Sequence, residues 1–485
     1  MNEIEFHPQP ALLDQKKCCE IDTSCRAPVL AFYTGAVFWL IIGTLFALVA
    51  SIKFHHPEFI SEWAFTTLGR IRPAHMNAVI FGWAASAGMG TAIWLITRLC
   101  QISLRSRWMA LAAAFIWNIG VLVGIIGILA GESTSIKWLE FPTHAAFILF
   151  AASALLGVWA VDMFFNRKPG HIYISQLYLL AALLWFPWFY STAEIMLVFR
   201  PVQGSVQGVI HWWFSNNILG LWFTPLALAA AYYIIPKIAG RPIYGYRLAI
   251  LGFWSLALFC GWNGGHGLIG GPVPVWIISV GIVSSVMMLI PVAAVAVNYS
   301  MTVRGRLHLL RENWTLWFIL FGAAAYVLAG LQGASMSMRS LSRVTHFTHY
   351  AIGHEHLEMY AFFTMIMFGA IYYIVPRLVQ WEWPSTKLIR IHFWTVAMGV
   401  SLMFLSLTIG GLLQGFALET PSIPFTAITN YTMPFLLTRS GAGMLMAIGH
   451  IAFAISFILI LLRYRAKHEA PTSAGIEAKI EKEGP

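Results

Sequence analysis

The sequence predicts an all-α fold, a polytopic membrane bundle of about twelve transmembrane helices. Only 10% of its 485 residues are charged and 59% are hydrophobic, whereas a soluble domain carries about 25% charged residues. Apolar stretches of about twenty residues, each long enough to cross a hydrocarbon core, recur along the whole chain. We place them at 29–51, 75–97, 108–130, 143–164, 174–197, 206–235, 247–270, 275–299, 313–337, 350–375, 388–415 and 440–463.

Polar ends flank this membrane domain. Residues 1–28 form a predicted cytoplasmic N-terminal tail, 29–465 the twelve-helix domain, and 466–485 a charged C-terminal tail that we expect to be disordered. The first apolar run is long enough to stay in the membrane, so we predict no cleavable signal peptide. The N-terminal tail holds a cysteine cluster, which we interpret as reduced cytoplasmic thiols rather than a metal or lipid site. Its members are Cys18, Cys19 and Cys25.

The net charge of +10 is distributed as membrane topology requires. If both termini are cytoplasmic, most of the 30 lysines and arginines fall in segments on the cytoplasmic side. Membrane proteins show this positive-inside asymmetry generally, so the basic balance calls for no nucleic acid partner. We therefore predict an integral protein of the bacterial inner membrane with both termini in the cytoplasm.

Histidines are numerous for so apolar a chain, which has 16 of them. An ionisable residue inside a bilayer is costly and is by default a functional candidate. We assign His392 to a loop and regard His450 as isolated within its helix, and for both we favour a satisfied or interfacial role. Seven others fall in the outer membrane layer, although they come from four separate helices. These are His75, His211, His266, His346, His349, His354 and His356.

The pair His354 and His356 is informative because residues two apart on a helix point about 200° from each other. The pair cannot ligate one metal, but it can ligate two haems on opposite faces of the helix, since haem iron accepts axial imidazoles. His75 is the expected second ligand of one haem. Just outside it, Arg70 and Arg72 are candidates for charge-assisted hydrogen bonds to propionates. The alternative is an interfacial His-x-His pair without a cofactor.

Short motifs across the chain carry a family resemblance, and they are 70–81 (RIRPAHMNAVIF), 170–173 (GHIY), 241–248 (RPIYGYRL), 274–276 (PVW) and 345–356 (THFTHYAIGHEH). They resemble subunit I of the haem–copper oxidase superfamily. The likeness is greatest to C-type (cbb3-type) cytochrome c oxidases, to which the nitric oxide reductase large subunit is related. It implies that His75 and His356 hold a low-spin haem and His354 a high-spin haem beside the gas-reduction site, both b-type.

The resemblance also implies a second metal facing the high-spin haem on three histidines, copper in the oxidases and iron in the nitric oxide reductases. Here Asn216 stands where the sixth helix should supply one of them, and Gly267 replaces one of a pair of which His266 remains. An amide oxygen is a poor ligand for copper. His211 lies five residues before Asn216, about 140° away around the helix, so it is not expected to substitute. We therefore expect a degenerate second-metal site and do not count copper or non-haem iron among the cofactors.

Two further family features are absent from the seventh helix. Cys260 stands where C-type oxidases carry a redox tyrosine. Their inward proton path uses a serine and a histidine at the positions of Ala249 and Gly252. The metal ligand, the tyrosine and the proton path are thus lost together.

Four carboxylates remain in or near the membrane: Glu140, Glu194, Glu355 and Glu358. Nitric oxide reductases use glutamates near their iron and lack the redox tyrosine, so these residues favour that branch of the resemblance. The interpretation we favour for each carboxylate alone is structural, as the partner of an arginine. The arginines considered are Arg200, Arg339 and Arg343.

The resemblance implies a respiratory oxidoreductase. Electrons would pass from cytochrome c, or from a membrane-anchored haem c subunit, through the low-spin haem to the high-spin haem, where dioxygen or nitric oxide is reduced. The alternative is a haem electron-transfer or gas-binding subunit that lost the second metal and has no catalysis of its own. A transporter would have a similar number of helices, but it does not explain the histidine layer.

Overall fold

The computed structural model describes residues 15–469, with side chains from 16 to 465, and the chain is helical nearly throughout that range. Twelve helices within it are long and apolar enough to cross a membrane, which confirms the predicted fold class. They are α1 (Lys16–Lys53), α2 (Leu68–Cys100), α3 (Arg107–Ala130), α4 (Thr143–Phe165), α5 (Ile174–Phe199), α6 (Ser205–Ala239), α7 (Tyr246–Leu268), α8 (Val275–Val303), α9 (Trp314–Met336), α10 (His349–Val379), α11 (Thr386–Leu418) and α12 (Phe425–Arg465).

The first helix starts earlier than the hydropathy pattern indicates, because α1 already includes the second half of the predicted N-terminal tail. Cys25 is buried on it, and Cys18 and Cys19 are partly exposed. Across the described part of the chain, no group of three His, Cys, Asp or Glu residues could hold a metal ion. At the other end, helical structure continues to Glu469. The disorder predicted for the C-terminal tail concerns mainly 470–485, which lies outside the described residues, as does 1–14.

Three helices form the centre of the bundle. The membrane windows of α2, α6 and α10 are 94%, 78% and 83% buried, whereas those of the other nine are between 39% and 50% buried. These three helices carry His75, Asn216 and the pair His354 and His356. Four of the residues singled out in the sequence are therefore on the three most buried helices.

Segments of π-helix interrupt α2, α5, α6 and α10. Three of them follow a candidate site residue within a few positions: Ala78–Ala84 follows His75, Ile218–Phe223 follows Asn216, and Leu357–Thr364 follows His356. A π-helical turn contains an extra residue and is common at functional sites. The fourth segment is Ile195–Phe199 in α5.

Small residues bring α1 close to α2. A Cβ on Gly43 would lie 2.7 Å from the Val79 side chain, so a larger residue there would force the helices apart. At the opposite end of this contact, Arg98 of α2 donates two hydrogen bonds, at 2.6 and 2.7 Å, to the carboxylate of Asp22 on α1. The indole of Trp94 donates to the same carboxylate at 2.9 Å. Contacts at both ends of the α1–α2 interface thus fix where α1 lies relative to His75.

Candidate functional site

The histidine-bearing segments meet at one end of the bundle, where α2, α6 and α10 begin and α7 ends. His211 Nε2 lies 3.2 Å from the carbonyl oxygen of Lys137 in the α3–α4 connection. The Lys137 ammonium in turn forms an ion pair with Glu355, between the two candidate haem ligands of α10. The ring of Trp212 lies 5.9 Å from that of His346. The fold therefore brings these segments together as the sequence predicts.

His75 and His356 have the same hydrogen-bond arrangement. Nδ1 of His75 lies 2.9 Å from the carbonyl oxygen of Gly43 on α1, and Nδ1 of His356 lies 2.8 Å from that of Ile352. A carbonyl only accepts, so each Nδ1 carries the proton and each Nε2 retains a lone pair. Neither Nε2 makes a hydrogen bond within the described chain. This is the tautomer that a metal-ligating imidazole needs, held by a carbonyl behind it.

His354 faces another part of the bundle. Its Nδ1 lies 3.1 Å from Oε1 of Gln332 on α9, and a Cβ on Gly333 would lie 3.4 Å from the ring. His356 is within electrostatic range of His75, whereas His354 is within that of His266. The two α10 histidines therefore serve opposite sides of their helix, as the spacing predicts, and their donor chemistry fits two separate haems.

Three arginine side chains lie near His75 and His356. Arg70 donates from Nη1 to the carbonyl of Leu129 at 3.0 Å, and Arg72 is exposed. A third arginine, Arg439, is half-buried on α12 within electrostatic range of both His75 and His356. Arg439 is not among the propionate candidates predicted from the sequence, because the apolar run that marks the last helix begins only at residue 440.

The amide of Asn216 is engaged within the protein. Its Nδ2 donates to the carbonyl of Cys260 at 3.0 Å and to Oδ1 of Asn263. The Sγ of Cys260 lies 3.6 Å from the same nitrogen. Asn216 therefore joins α6 to the end of α7 through two donated hydrogen bonds. An imidazole bound to a metal through one nitrogen has a single N–H and could donate only one of them.

His266 and Gly267 lie in a tight 3-10 turn at the end of α7. Nδ1 of His266 donates to the carbonyl of Asn263 at 2.5 Å and lies 3.0 Å from the hydroxyl of Ser285. A side chain at Gly267 would collide with the indole ring of Trp212. His211 is directed to the α3–α4 connection instead. Of the three positions where the resemblance implies a histidine, one therefore carries an imidazole.

The positions of the lost tyrosine and proton path lie deeper in α7. Cys260 is 1% exposed and packs against Gly220 of α6. Ala249 is completely buried. A Cβ on Gly252 would lie 3.7 Å from the hydroxyl of Tyr178 on α5. A phenol from a different helix thus stands beside the position where the resemblance implies a polar residue of α7.

None of the four carboxylates pairs with the arginines proposed for them, as far as the described chain extends. Glu140 accepts from Nδ2 of Asn77 at 3.0 Å, and its burial raises its pKa. Glu355 pairs with Lys137. Oε1 of Glu358 lies 3.5 Å from Nε2 of His354.

The fourth carboxylate, Glu194, is 4% exposed and lies on the α5 turn that follows Tyr190. Arg343 pairs instead with Glu419. The expected arginine partnerships were therefore wrong, since none of the arginines considered forms an ion pair with these carboxylates in the described part of the chain.

Two histidines are placed differently from the prediction. His392 lies within α11 and is completely buried, with Nδ1 2.9 Å from the hydroxyl of Tyr372, so its assignment to a loop was wrong. His450 is not isolated. Its ring nitrogens contact the hydroxyls of Thr44 on α1 and Tyr360 on α10.

Comparisons with known proteins agree with this arrangement. The chain is 27% identical over 449 residues to a cbb3-type cytochrome c oxidase subunit of Stutzerimonas stutzeri, covering 91% of this chain and 95% of the relative. It is 23% identical to a nitric oxide reductase subunit of the same organism, over 89% of this chain and 94% of the relative. A solved haem–copper terminal oxidase has the same fold, with a TM-score of 0.66 and 16% identity over 92% of this chain and 84% of that one.

A family model described as cytochrome c and quinol oxidase polypeptide I matches residues 27–445. That match includes α2, α6, α7 and α10, which carry His75, Asn216, His266, His354 and His356. The chain therefore belongs to the cytochrome c and quinol oxidase polypeptide I family, that is, to subunit I of the haem–copper oxidases.

Proposed function

We propose that the protein is the haem-bearing subunit I of a respiratory terminal reductase. It takes electrons from cytochrome c, or from a membrane-anchored haem c subunit, and delivers them to dioxygen or nitric oxide. In this proposal His75 and His356 hold a low-spin b-type haem and His354 a high-spin one. The observation that carries it is the shared state of His75 and His356, each with Nδ1 held by a backbone carbonyl and Nε2 without a hydrogen bond in the described chain, together with Nδ1 of His354 held by Gln332. The bound haems supply electron transfer and gas binding.

The haem assignments are tested by removing one imidazole at a time. His356→Leu should abolish the low-spin haem signal while the high-spin signal survives, and His354→Leu should do the reverse. His349→Leu is the matched control, because His349 is on the same helix and its backbone N–H, not its ring, bonds to Gln414. Optical and electron paramagnetic resonance spectra of the purified protein are the measurement. Equal loss of both signals in the control would contradict the assignments.

We propose further that the site beside His354 holds neither copper nor a third iron. Three contacts support this: the hydrogen bonds donated by Asn216, the position of the Trp212 ring at Gly267, and the orientation of His211 toward Lys137. Of the three positions where the resemblance implies a histidine ligand, only that of His266 carries an imidazole. One imidazole is too few for a site that needs three nitrogen ligands.

The same contacts favour a second candidate function, a haem electron-transfer or gas-binding subunit without catalysis of its own. Metal analysis with turnover assays separates the two. Two haem irons and no other metal, with no consumption of dioxygen or nitric oxide, would favour the second candidate. Turnover of either gas by the metal-poor protein would favour the reductase.

The proposed membrane is the bacterial inner membrane, with both termini on the cytoplasmic side and the candidate haem site near the outer face. The positive-inside bias of Lys and Arg supports this orientation. Cysteine-accessibility labelling in intact cells and in inverted vesicles tests it. A cysteine introduced at Ser422, which is exposed in the α11–α12 connection, should react with an impermeant reagent only in intact cells.

A further inference from the structure

His450 makes a hydrogen bond with each ring nitrogen, and these bonds join three helices. It lies on α12 and is 4% exposed. Its Nδ1 is 2.7 Å from Oγ1 of Thr44 on α1, and its Nε2 is hydrogen-bonded to the hydroxyl of Tyr360 on α10. A polar ring this deep in the bundle is stable only if both nitrogens are satisfied. These contacts satisfy both.

The direction of each hydrogen bond follows from proton counting. Oγ1 of Thr44 lies 2.6 Å from the carbonyl of Leu40, which only accepts, so the single hydroxyl proton of Thr44 is donated there. The oxygen of Thr44 then accepts from Nδ1–H of His450. Nε2 of the neutral imidazole is left as an acceptor, and the hydroxyl of Tyr360 donates to it. The series of hydrogen bonds therefore runs in one direction, from Tyr360 through His450 and Thr44 to the carbonyl of Leu40. Both ring nitrogens of His450 and the hydroxyl protons of Thr44 and Tyr360 are engaged in it.

The two residues that bond to His450 each lie near a candidate haem ligand or the group that orients it. Thr44 follows Gly43, whose carbonyl accepts the Nδ1–H of His75. Tyr360 follows His356 by four residues, within the π-helical segment Leu357–Thr364. His450 thus joins the part of α1 that orients one imidazole to the part of α10 that carries the other.

Both helices change to π-helical geometry next to a candidate haem ligand. His356 immediately precedes the π-helical segment Leu357–Thr364, and His75 precedes Ala78–Ala84 by three residues. Such segments are frequent at functional sites. Tyr360, which donates to His450, lies within the first of these two segments, so the bond between the helices is made next to His356.

We propose that His450 is a positioning residue for the low-spin haem: by joining α1 to α10, it fixes the placement of His75 relative to His356. The inference rests on the proposed ligation of that haem by these two residues. A low-spin iron needs both axial bonds at full strength, so a looser pair of imidazoles should leave part of this haem high-spin.

The test is His450→Leu, compared with His392→Leu. His392 is a matched control because it is also buried, also bonded to a tyrosine hydroxyl and also in ring contact with Phe368. At equal haem content, His450→Leu should raise the high-spin ferric fraction at least threefold. It should also shift the reduction equilibrium of the low-spin haem at least threefold, about 28 mV at 59 mV per tenfold. His392→Leu should change neither.

Conservative variants separate positioning from general support of the fold. His450→Gln keeps one donor and one acceptor, so it should restore most of the low-spin signal. Tyr360→Phe removes only the hydroxyl and should give part of the His450→Leu effect. If His450→Leu does not fold, this variant decides the question. Combining Tyr360→Phe with His450→Leu should add nothing, because both break the same chain.

Two outcomes would overturn the inference: unchanged spectra and potential in His450→Leu, or the same change in His392→Leu. If the wild-type protein shows no low-spin haem with two imidazole ligands, the proposed ligation fails and this inference fails with it. If it shows that haem and His450 has no influence on it, only this inference fails.

Discussion

The indole ring of Trp212 fills the space into which a side chain at Gly267 would project. Trp212 lies on α6 one turn before Asn216, and Gly267 lies in the last turn of α7. The backbone of Gly264 also packs against the carbonyl of Trp212, where a Cβ would come within 2.5 Å. Helix α6 therefore approaches the end of α7 more closely than an imidazole-bearing residue at 267 would permit.

The Trp212–Gly267 contact predicts that even a methyl side chain at position 267 destabilises the protein. Gly267→Ala should destabilise the protein by about 1–3 kcal/mol, because the added methyl group has no room. Gly261→Ala is the control, since a Cβ there meets no atom within 4 Å. It should be neutral or slightly stabilising in a helix. Thermal unfolding in detergent measures both, and equal effects would contradict the packing argument.

Copper binding should be recoverable by restoring three imidazoles and the space for them. Asn216→His and Gly267→His with Trp212→Ala should give a protein that binds one copper ion per chain. The same combination without the change at Gly267 offers two imidazoles and should bind none. Elemental analysis after reconstitution is the measurement. Copper in the unaltered protein, or none in the triple variant, would contradict the proposed metal-free site.

Gln332 should set the reduction potential of the haem assigned to His354. Its Oε1 accepts from Nδ1 of that histidine at 3.1 Å, and a hydrogen-bond acceptor behind an imidazole makes it a stronger electron donor. Gln332→Glu should therefore lower the high-spin haem potential by favouring ferric iron, and Gln332→Leu should raise it. The low-spin potential serves as an internal reference. Shifts of the same sign in both variants would refute this role.

Glu140 should make stability depend on pH. Burial raises the pKa of this carboxyl above its ordinary value of 4.5. The folded chain thus holds the proton to higher pH than the unfolded chain, and stability falls as pH rises from 4.5 to the folded pKa. Glu140→Gln imitates the protonated form and can donate a hydrogen bond to the unpartnered Oδ1 of Asn77. Its unfolding temperature should match that of the wild type near pH 4 and exceed it at pH 8.

Glu419 provides the opposite case for comparison. The hydrogen bond from Arg343 lowers the pKa of this exposed carboxyl, so its stabilising effect is present above 4.5 and is lost as pH falls through the folded pKa. Glu419→Gln should therefore be no more stable than wild type at pH 8. Unfolding temperatures measured across the same pH series test both residues. A higher unfolding temperature at pH 8 in both variants would show that loss of any negative charge, and not the burial of Glu140, determines how stability depends on pH.

Much of the architecture could be predicted from the sequence, because a helix that crosses a lipid bilayer needs about twenty consecutive, mostly apolar residues. Spans of apolar residues fixed the number of helices, and the two-residue spacing of His354 and His356 predicted that they face different neighbours, as they do. What could not be predicted depends on contacts between distant segments. His450 meets Thr44 and Tyr360 across 406 and 90 residues of sequence.

Hydropathy was also a poor guide to orientation around each helix. Because the lipid-facing side of a membrane helix is as apolar as its packed side, periodicity does not tell them apart. His392 looked peripheral for this reason, although it lies completely buried in α11. Arg439 was missed for a related reason, since a cation ends an apolar run even where the helix itself continues.

The π-helical segments divide each central helix into two parts that can change separately. A π-helical turn holds one residue more than an α-helical turn, so deleting one residue within Leu357–Thr364 would restore a regular α-helix with little rotation of its two halves. A deletion from the α-helical part of α10 would instead rotate one half by about 100° relative to the other. The π-helical segments are thus the places in the central helices where the chain could change its length by one residue with the least effect on the direction of His354 and His356.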